Sequence, residues 1–457
     1  MPACIQVRDG VISALTAHHE TPAGGPCVDV GNSVVLPGLV DTHVHVNEPG
    51  RTEWEGFQTA TRAAAAGGVT TIVDMPLNSI PPVTDGKGLQ MKIDAAGGQC
   101  WIDVGFWGGL VPGNILELRP LHEQGVLGFK CFLIPSGVEE FPCVTEVELR
   151  PAMAELSSLG AVLLAHAELP QANNKVPNLQ PSMERQYSVY LQARPPEMED
   201  KAVALLIRLC RETGCPVHIV HLSSASVLGH LREAKAEGLP VTVETCPHYL
   251  FFSEGDVAAG ATQFKCAPPI RNGENREKLW QAVDEGLIDV LASDHSPCPE
   301  TLKRLESGNF FEAWGGISSL QVSLSVVWTA ASERGLPLHR LATWMAGAPA
   351  RLAGLGSRKG AIEVGFDADL VVFDPEAEFR VTANGRIEAP EEKPAPQSRI
   401  HHRHNVTPYV GYRLKGIVRA TYLRGKQIFD GTGFSAEPTG VLLLRGTKSC
   451  VSPSNAN

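Results

Sequence analysis

His43 and His45 stand one residue apart at the end of the apolar run SVVLPGLVDTHVH (33–45). On a strand, residues i and i+2 point to one face about 6.5 to 7 Å apart at Cα, so both imidazoles can converge on one ion. Alone the pattern is a weak signal, because H-x-H also arises among packed or surface histidines. It gains weight from four further polar residues in apolar runs: Lys130 in GFKCF (128–132), His166 in AVLLAHAE (161–168), His221 in PVHIVHLS (216–223) and Asp294 in DVLASDHS (289–296). Neutral imidazoles with a carboxylate suit Zn²⁺ and, less selectively, iron, cobalt or manganese. Lys130 has two readings, since an unpaired ammonium inside an apolar strand is strongly destabilising. Either it snorkels to the rim, or its lowered pKa lets it react with CO₂ to give a carbamate. A carbamate would bridge two metals, which need a shared anion to sit about 3.5 to 4 Å apart.

Other polar residues carry plainer expectations. His218, three before His221, faces the other side of a strand as a packed or rim histidine. His248 in ETCPHYL either orients a ligand or is purely structural. His295 follows Asp294 and points away from it, and Cys298 is expected to take no part in catalysis. His401, His402 and His404 are expected on a solvated loop.

These side chains matter only if the chain brings the ends of their runs together. Besides the runs at 33–45, 126–133, 161–168, 216–223 and 289–296, similar ones occur at 69–76, 101–110 and 240–250, eight in all. They alternate with helical stretches such as EWEGFQTATRAAAA and DKAVALLIRLCRETG, the latter apolar at helical spacing. Eight βα units in roughly 300 residues predict a (β/α)₈ TIM barrel, in which residues at the C-terminal strand ends share one face. After residue 350 the runs ADLVVFDP, EFRVTA and RATYLRGKQIFDG predict a small β-sandwich module. The strand-like IQVRDGVISAL (5–15) suggests that both ends of the chain share one of its sheets. The expected division is 1–36 for the N-terminal part of the module, 37–350 for the barrel and 351–457 for the rest of the module and a tail. EAPEEKPAPQSR (388–399) is expected as a surface loop and the last dozen residues as frayed.

The 457 residues, 43% hydrophobic and 19% charged, suffice for a large core and exclude a small binding module. Thirty-nine Lys+Arg against 50 Asp+Glu give a net charge of −11, the wrong sign for nucleic acid or an anionic membrane. Eleven cysteines without a C-x-x-C pair fit a reducing compartment. No run of about 18 apolar residues and no leader pattern occurs, so a cytoplasmic location is expected.

The segments PGLVDTHVHVNEPG, GFKCF, LAHAE, VHIVHLSS, ETCPHYL and LASDHSPC, spanning residues 37–298, resemble those of the cyclic amidohydrolases. This family includes allantoinases, dihydroorotases, hydantoinases and dihydropyrimidinases. The resemblance implies hydrolytic opening of a cyclic amide at a centre of two divalent ions, Zn²⁺ foremost. It implies that His43 and His45 hold one ion, His166 and His221 the other, that carboxylated Lys130 bridges them, and that Asp294 is ligand and catalytic base. ASDHSPCPE followed by FEAWGGISSLQ is similar to the allantoinases in particular, whose small-molecule substrate is allantoin and whose product is allantoate. That similarity implies substrate contacts from Asn78, Ser296, Trp314 and Gly316, and a homotetramer. Dihydroorotases grip a carboxylate with the arginine of H-x-H-L-R; Asn47 stands at that place here and suits a neutral ureide. Two alternatives are a hydantoinase or dihydropyrimidinase, and an inactive dihydropyrimidinase-like interaction protein, which would be expected to have lost ligands. The family carries further N-terminal strands before the counterpart of Ile5–Leu15, so the module is expected to be incomplete.

Overall fold

The apolar runs become a ring of eight short parallel strands. In the computed structural model, which describes residues 2–20, 26–170, 180–389 and 399–446, these are β1 (Leu39–Val44), β2 (Val69–Asp74), β3 (Asp103–Phe106, resuming at Gly108–Gly109), β4 (Phe129–Phe132), β5 (Leu163–His166), β6 (Val217–Ile219), β7 (Val241–Thr245) and β8 (Val290–Leu291). Neighbours pair in chain order from β1 to β8. The ring closes where Val44 bridges His295 and the His45 N–H donates to the His295 carbonyl at 2.9 Å. Residues of β1 and β2 are buried on both faces, as strands between a packed interior and a helical coat must be. The coat is amphipathic. In the helix Glu197–Thr213, Ala202, Val203, Leu206, Ile207 and Cys210 face inward, Glu197, Glu199 and Asp200 lie at the positive N-terminus, and Gly214 ends it in the left-handed conformation. The molecule is a (β/α)₈ barrel with a β-sandwich module.

The module departs from expectation in three ways. First, the run at 33–45 is two strands: Val34–Pro37 pairs antiparallel with Leu370–Phe373 of the module before β1 begins. Gly38 makes the turn between them, where a side chain would collide with Thr70. Second, IQVRDGVISAL is a hairpin, Ala3–Arg8 against Val11–Ala17, that forms its own two-stranded sheet. Asp9 and Gly10 both take positive φ, the two-residue turn that suits the twist of such a hairpin. It touches the rest of the module through the Val11–Asp367 bridge. Third, Leu442–Leu443 leaves the module and pairs parallel with Val104–Gly105 of β3. The loop expected at 388–399 lies outside the described residues at 390–398, as does the expected frayed end from 447.

Barrel and module meet at a buried charge cluster. Lys359 Nζ lies 2.8 Å from Asp103 Oδ2 and 2.6 Å from Asp369 Oδ2. Arg424 Nη1 reaches Asp103 Oδ1 at 2.7 Å, and the same carboxylate accepts the Val441 N–H at 2.9 Å. Asp103, Asp367 and Asp369 thus already surround a cation, the lysine's own. We propose a division into 1–36 and 351–457 for the module and 37–350 for the barrel, with Pro37 ending the module strand at the boundary and Leu442–Leu443 reaching back to β3.

Candidate active site

The C-terminal ends of the strands converge on one buried cluster. His43 and His45 leave β1 with ring centroids 5.5 Å apart, and their Nε2 atoms lie 3.2 and 3.4 Å from one oxygen, Asp294 Oδ1. The His221 ring is 5.3 Å from that of His43 and 4.6 Å from that of His166. Lys130, wholly buried on β4, reaches in with an Nζ that has no hydrogen-bond partner among the described residues. The six residues therefore gather at one end of the barrel.

Carboxylates behind the cluster set its tautomers. His43 Nδ1 donates to Glu244 Oε1 on β7, which turns its Nε2 towards Asp294. Glu244 also accepts the His221 N–H at 3.0 Å and faces His218 Nε2 at 3.2 Å. His166 is reversed: its Nε2 bonds Glu168 Oε2 at 2.7 Å, leaving Nδ1 for the cluster, and Arg194 Nε holds Glu168 at 3.0 Å. Burial raises a carboxyl, yet Arg194 and His166 outweigh it and bring Glu168 down to about 2. Burial likewise opposes the ionisation of Glu244, but His43 and His218 outweigh it and hold the carboxyl well below the usual carboxylate range. Asp294 is depressed against its burial by His43, His45 and His248. Burial lowers His45 to about 4 and pushes His166 and His221 down too, so these imidazoles are neutral at pH 7. Burial also lowers Lys130 to about 8, with Glu244 and Asp294 pulling the other way.

This donor set fits divalent ions. Ligand atoms of His43, His45 and Asp294 lie within 4.8 Å of one another, the His45 imidazole is uncharged, and a buried amine without a hydrogen-bond partner among the described residues adjoins them. Backbone strain collects at the same place. Among the described residues six other than glycine have positive φ, and three are Asn78 (72°), His221 (39°) and Asp294 (45°), a conformation that side-chain residues adopt only when packing enforces it.

Of the residues expected to touch substrate, Asn78 sets its amide nitrogen 3.3 Å from His45 Nδ1. Ser296 Oγ accepts from Trp314 Nε1 at 3.4 Å, and Trp314 meets Trp54 edge-on at 4.9 Å. Gly316 has both peptide groups engaged, its N–H with the Lys265 carbonyl at 3.0 Å and its carbonyl with Lys303. A side chain there would overlap Ser296, which accounts for the glycine. Asn47 is fully buried, with Nδ2 3.5 Å from the Pro297 carbonyl and Oδ1 without a partner.

His218 is packed between Thr242 and Glu244, His295 accepts the Ser319 N–H at 3.1 Å away from Asp294, and burial lifts the Cys298 thiol to about 11. His248 is buried beside Cys246 and Asp294, with neither ring nitrogen partnered among the described residues. The expectation of a solvated loop fails at 401–404. His402 is buried with its ring 5.4 Å from His295, His401 packs on Phe434 at 4.8 Å, and His404 Nε2 meets the Glu53 carbonyl at 2.7 Å. The segment is tied down because Arg403 and Thr407 bond Glu55 and Ser318 of the barrel. Sequence reasoning missed Glu244, Glu168 and Arg194. A glutamate inside the apolar run PVTVETC was the available signal for the first.

The chain matches the Amidohydrolase family model over residues 34–428. It is 48% identical over 445 residues to "Allantoinase" of Streptomyces avermitilis, covering 97% of this chain and 95% of that protein. It is 43% identical to "Allantoinase" of Arabidopsis thaliana, covering 97% and 88%. Among solved structures it is similar to the L-hydantoinase (dihydropyrimidinase) of Arthrobacter aurescens, at 30% identity and TM-score 0.87 over 97% of this chain and 96% of that one. Among the described residues no helix is long and apolar enough to cross a membrane. Matched by the family model over most of its length and by relatives over nearly all of it, the chain belongs to the amidohydrolase family.

Proposed function

We propose that this protein is an allantoinase that hydrolyses allantoin to allantoate at a binuclear centre. The supporting observation is the buried convergence of His43, His45, Lys130, His166, His221 and Asp294, joined by a 48% identical relative that carries that name. In this reading His43 and His45 would hold one ion, His166 and His221 the other, and Lys130, as its carbamate, would serve both. Lys130, lowered to about 8, is partly neutral near pH 7; its amine adds CO₂ and releases one proton. When bound, two divalent ions, Zn²⁺ by the ligand chemistry, supply Lewis acidity that lowers the pKa of water from 15.7 to about 7 and polarises a carbonyl.

The chain's own residues handle the protons. Asp294, ionised at neutral pH, accepts a proton from the attacking water and passes it to the departing ring nitrogen. Glu244 and Glu168 hold the imidazoles in one tautomer, as carboxylates behind metal-binding histidines do. Ser296 and Trp314 form one wall for the substrate, and Asn78 and Asn47 place amide groups opposite charge-free portions of it. Gly316 belongs to that wall through its fit against Ser296. A homotetramer and a cytoplasmic site of action complete the proposal; light scattering and cell fractionation test those two parts.

Asn47 decides against dihydroorotate. It offers neutral hydrogen bonds where a carboxylate calls for a bidentate arginine. Elemental analysis should find close to two ions per chain. Allantoin should turn over with kcat/KM on the order of 10² or more above dihydroorotate, the discrimination that one missing charged contact supplies. Dihydroorotate opening faster than allantoin, or full activity without metal, would overturn the reading.

A further inference from the structure

At the end of the barrel opposite the cluster, where β4, β5 and β6 begin, the surface holds a cavity of about 610 Å³. Its size is that of a small-molecule site, which commonly encloses roughly 300–1,000 Å³. Leu127, Val162 and Pro216, just ahead of those three strands, give it an apolar floor. The strands are neighbours in the ring, so at about 4.8 Å per strand the floor spans about 10 Å. Arg351, Arg358 and Arg445 line the cavity as well. Arg358 is answered by Asp367, with Nη2 2.8 Å from Oδ2. Arg351 and Arg445 are exposed, and among the described residues neither guanidinium meets a carboxylate or a hydrogen-bond acceptor. In a chain of net charge −11, two unanswered cations beside an apolar floor call for an anion with an apolar body.

We propose that this cavity binds a nucleoside monophosphate. The guanidiniums of Arg351 and Arg445 take the phosphate, whose two charges they match where a carboxylate has one, and their planar forks suit its oxygens. The base lies flat on Leu127, Val162 and Pro216 and removes their remaining exposed surface from water. A ring system fits a floor of that width, which a bare inorganic anion leaves uncovered. The Arg358–Asp367 pair offers donors and acceptors to the ribose hydroxyls and adds no net charge. Because the cluster lies at the other end of the barrel, nucleotide and substrate are held at once.

The test is calorimetric titration of the metal-loaded protein with adenosine 5′-monophosphate, adenosine and inorganic phosphate. The monophosphate should bind once per chain and at least about tenfold more tightly than either fragment, since only it engages both the arginines and the floor. Replacing both Arg351→Gln and Arg445→Gln should weaken it about 10- to 100-fold, the loss of hydrogen bonds to a charged group. Each single variant should lose less. Metal content and melting temperature should match wild type, because neither side chain has a partner among the described residues to lose. Turnover of allantoin should not be inhibited competitively by the monophosphate. Phosphate binding as tightly as the monophosphate would leave the floor without a role and overturn the proposal, as would no binding of the monophosphate. Competition with allantoin together with unchanged binding in the double variant would put the anion on the metal centre and overturn it equally.

Discussion

Lys130 shows how one residue can be both a liability and a reagent. An ammonium there is wholly buried with no hydrogen-bond partner among the described residues, and burial outweighs the attraction of Glu244 and Asp294. Lys130→Ala should therefore lose the second ion and nearly all turnover, and a short carboxylic acid in solution should partly restore both by filling the vacated place. Metal content and activity measured with and without the acid check this; wild-type values for the variant would return Lys130 to a packing role. Glu244→Gln should weaken metal affinity about 10- to 100-fold, because the amide no longer fixes the Nδ1 proton of His43. Competition with a chelator measures it. The histidines, Lys130 and Asp294 were visible in the sequence because a polar side chain at the end of an apolar run has few reasons to be there. Glu244 and Arg194 were not, because their partners lie on other strands and loops, and no local spacing encodes a contact between residues 43 and 244. The histidines at 401–404 misled for a related reason: a run of polar residues reads as solvated until tertiary contacts bury one of them.

At the scale of elements, two buried lysines shape the wall opposite the cluster. Lys303 donates to the carbonyls of Lys265 at 3.1 Å, Trp314 at 3.0 Å and Gly316, and Lys265 to those of Phe311 at 3.3 Å and Ala313 at 2.5 Å. They hold the loop 311–316 by its backbone. Burial, with Lys303 nearby, lowers Lys265 to about 7. Between pH 7 and 10.5 the unfolded chain keeps a proton on this residue that the fold has released, so its contribution to stability rises with pH across that window and is flat below it. The melting temperature of Lys265→Met relative to wild type should therefore fall as pH goes from 7 to 10. A constant difference would mean that Lys265 stays charged. The alternation of runs and helices made the barrel strands legible, since period and apolarity are local. The split at Gly38 and the hairpin at Asp9–Gly10 were harder to see, because one apolar stretch served two sheets in the first and a two-residue turn was read as continuous strand in the second.

For the whole molecule, Lys359 is the joint between barrel and module. Removing its charge leaves Asp103 and Asp369 buried, with Arg424 as the remaining cation on Asp103. Lys359→Met should cost about 3–5 kcal/mol, the usual penalty for stripping one partner from a buried pair. Thermal or denaturant unfolding measures it, and adding Asp369→Asn should recover part of the loss; a single variant as stable as wild type would show that the cluster carries little. Asp103 also accepts the N–H of Val441, 338 residues further along, beside the point where Leu442–Leu443 covers the flank of β3. A ribosome adding about 5–20 residues per second needs tens of seconds to cover that interval. Throughout it the nascent barrel displays an open strand edge, the kind of surface that invites pairing with other chains. Val104 and Gly105, made early in the chain, are thus among the last residues of the barrel to gain a strand partner.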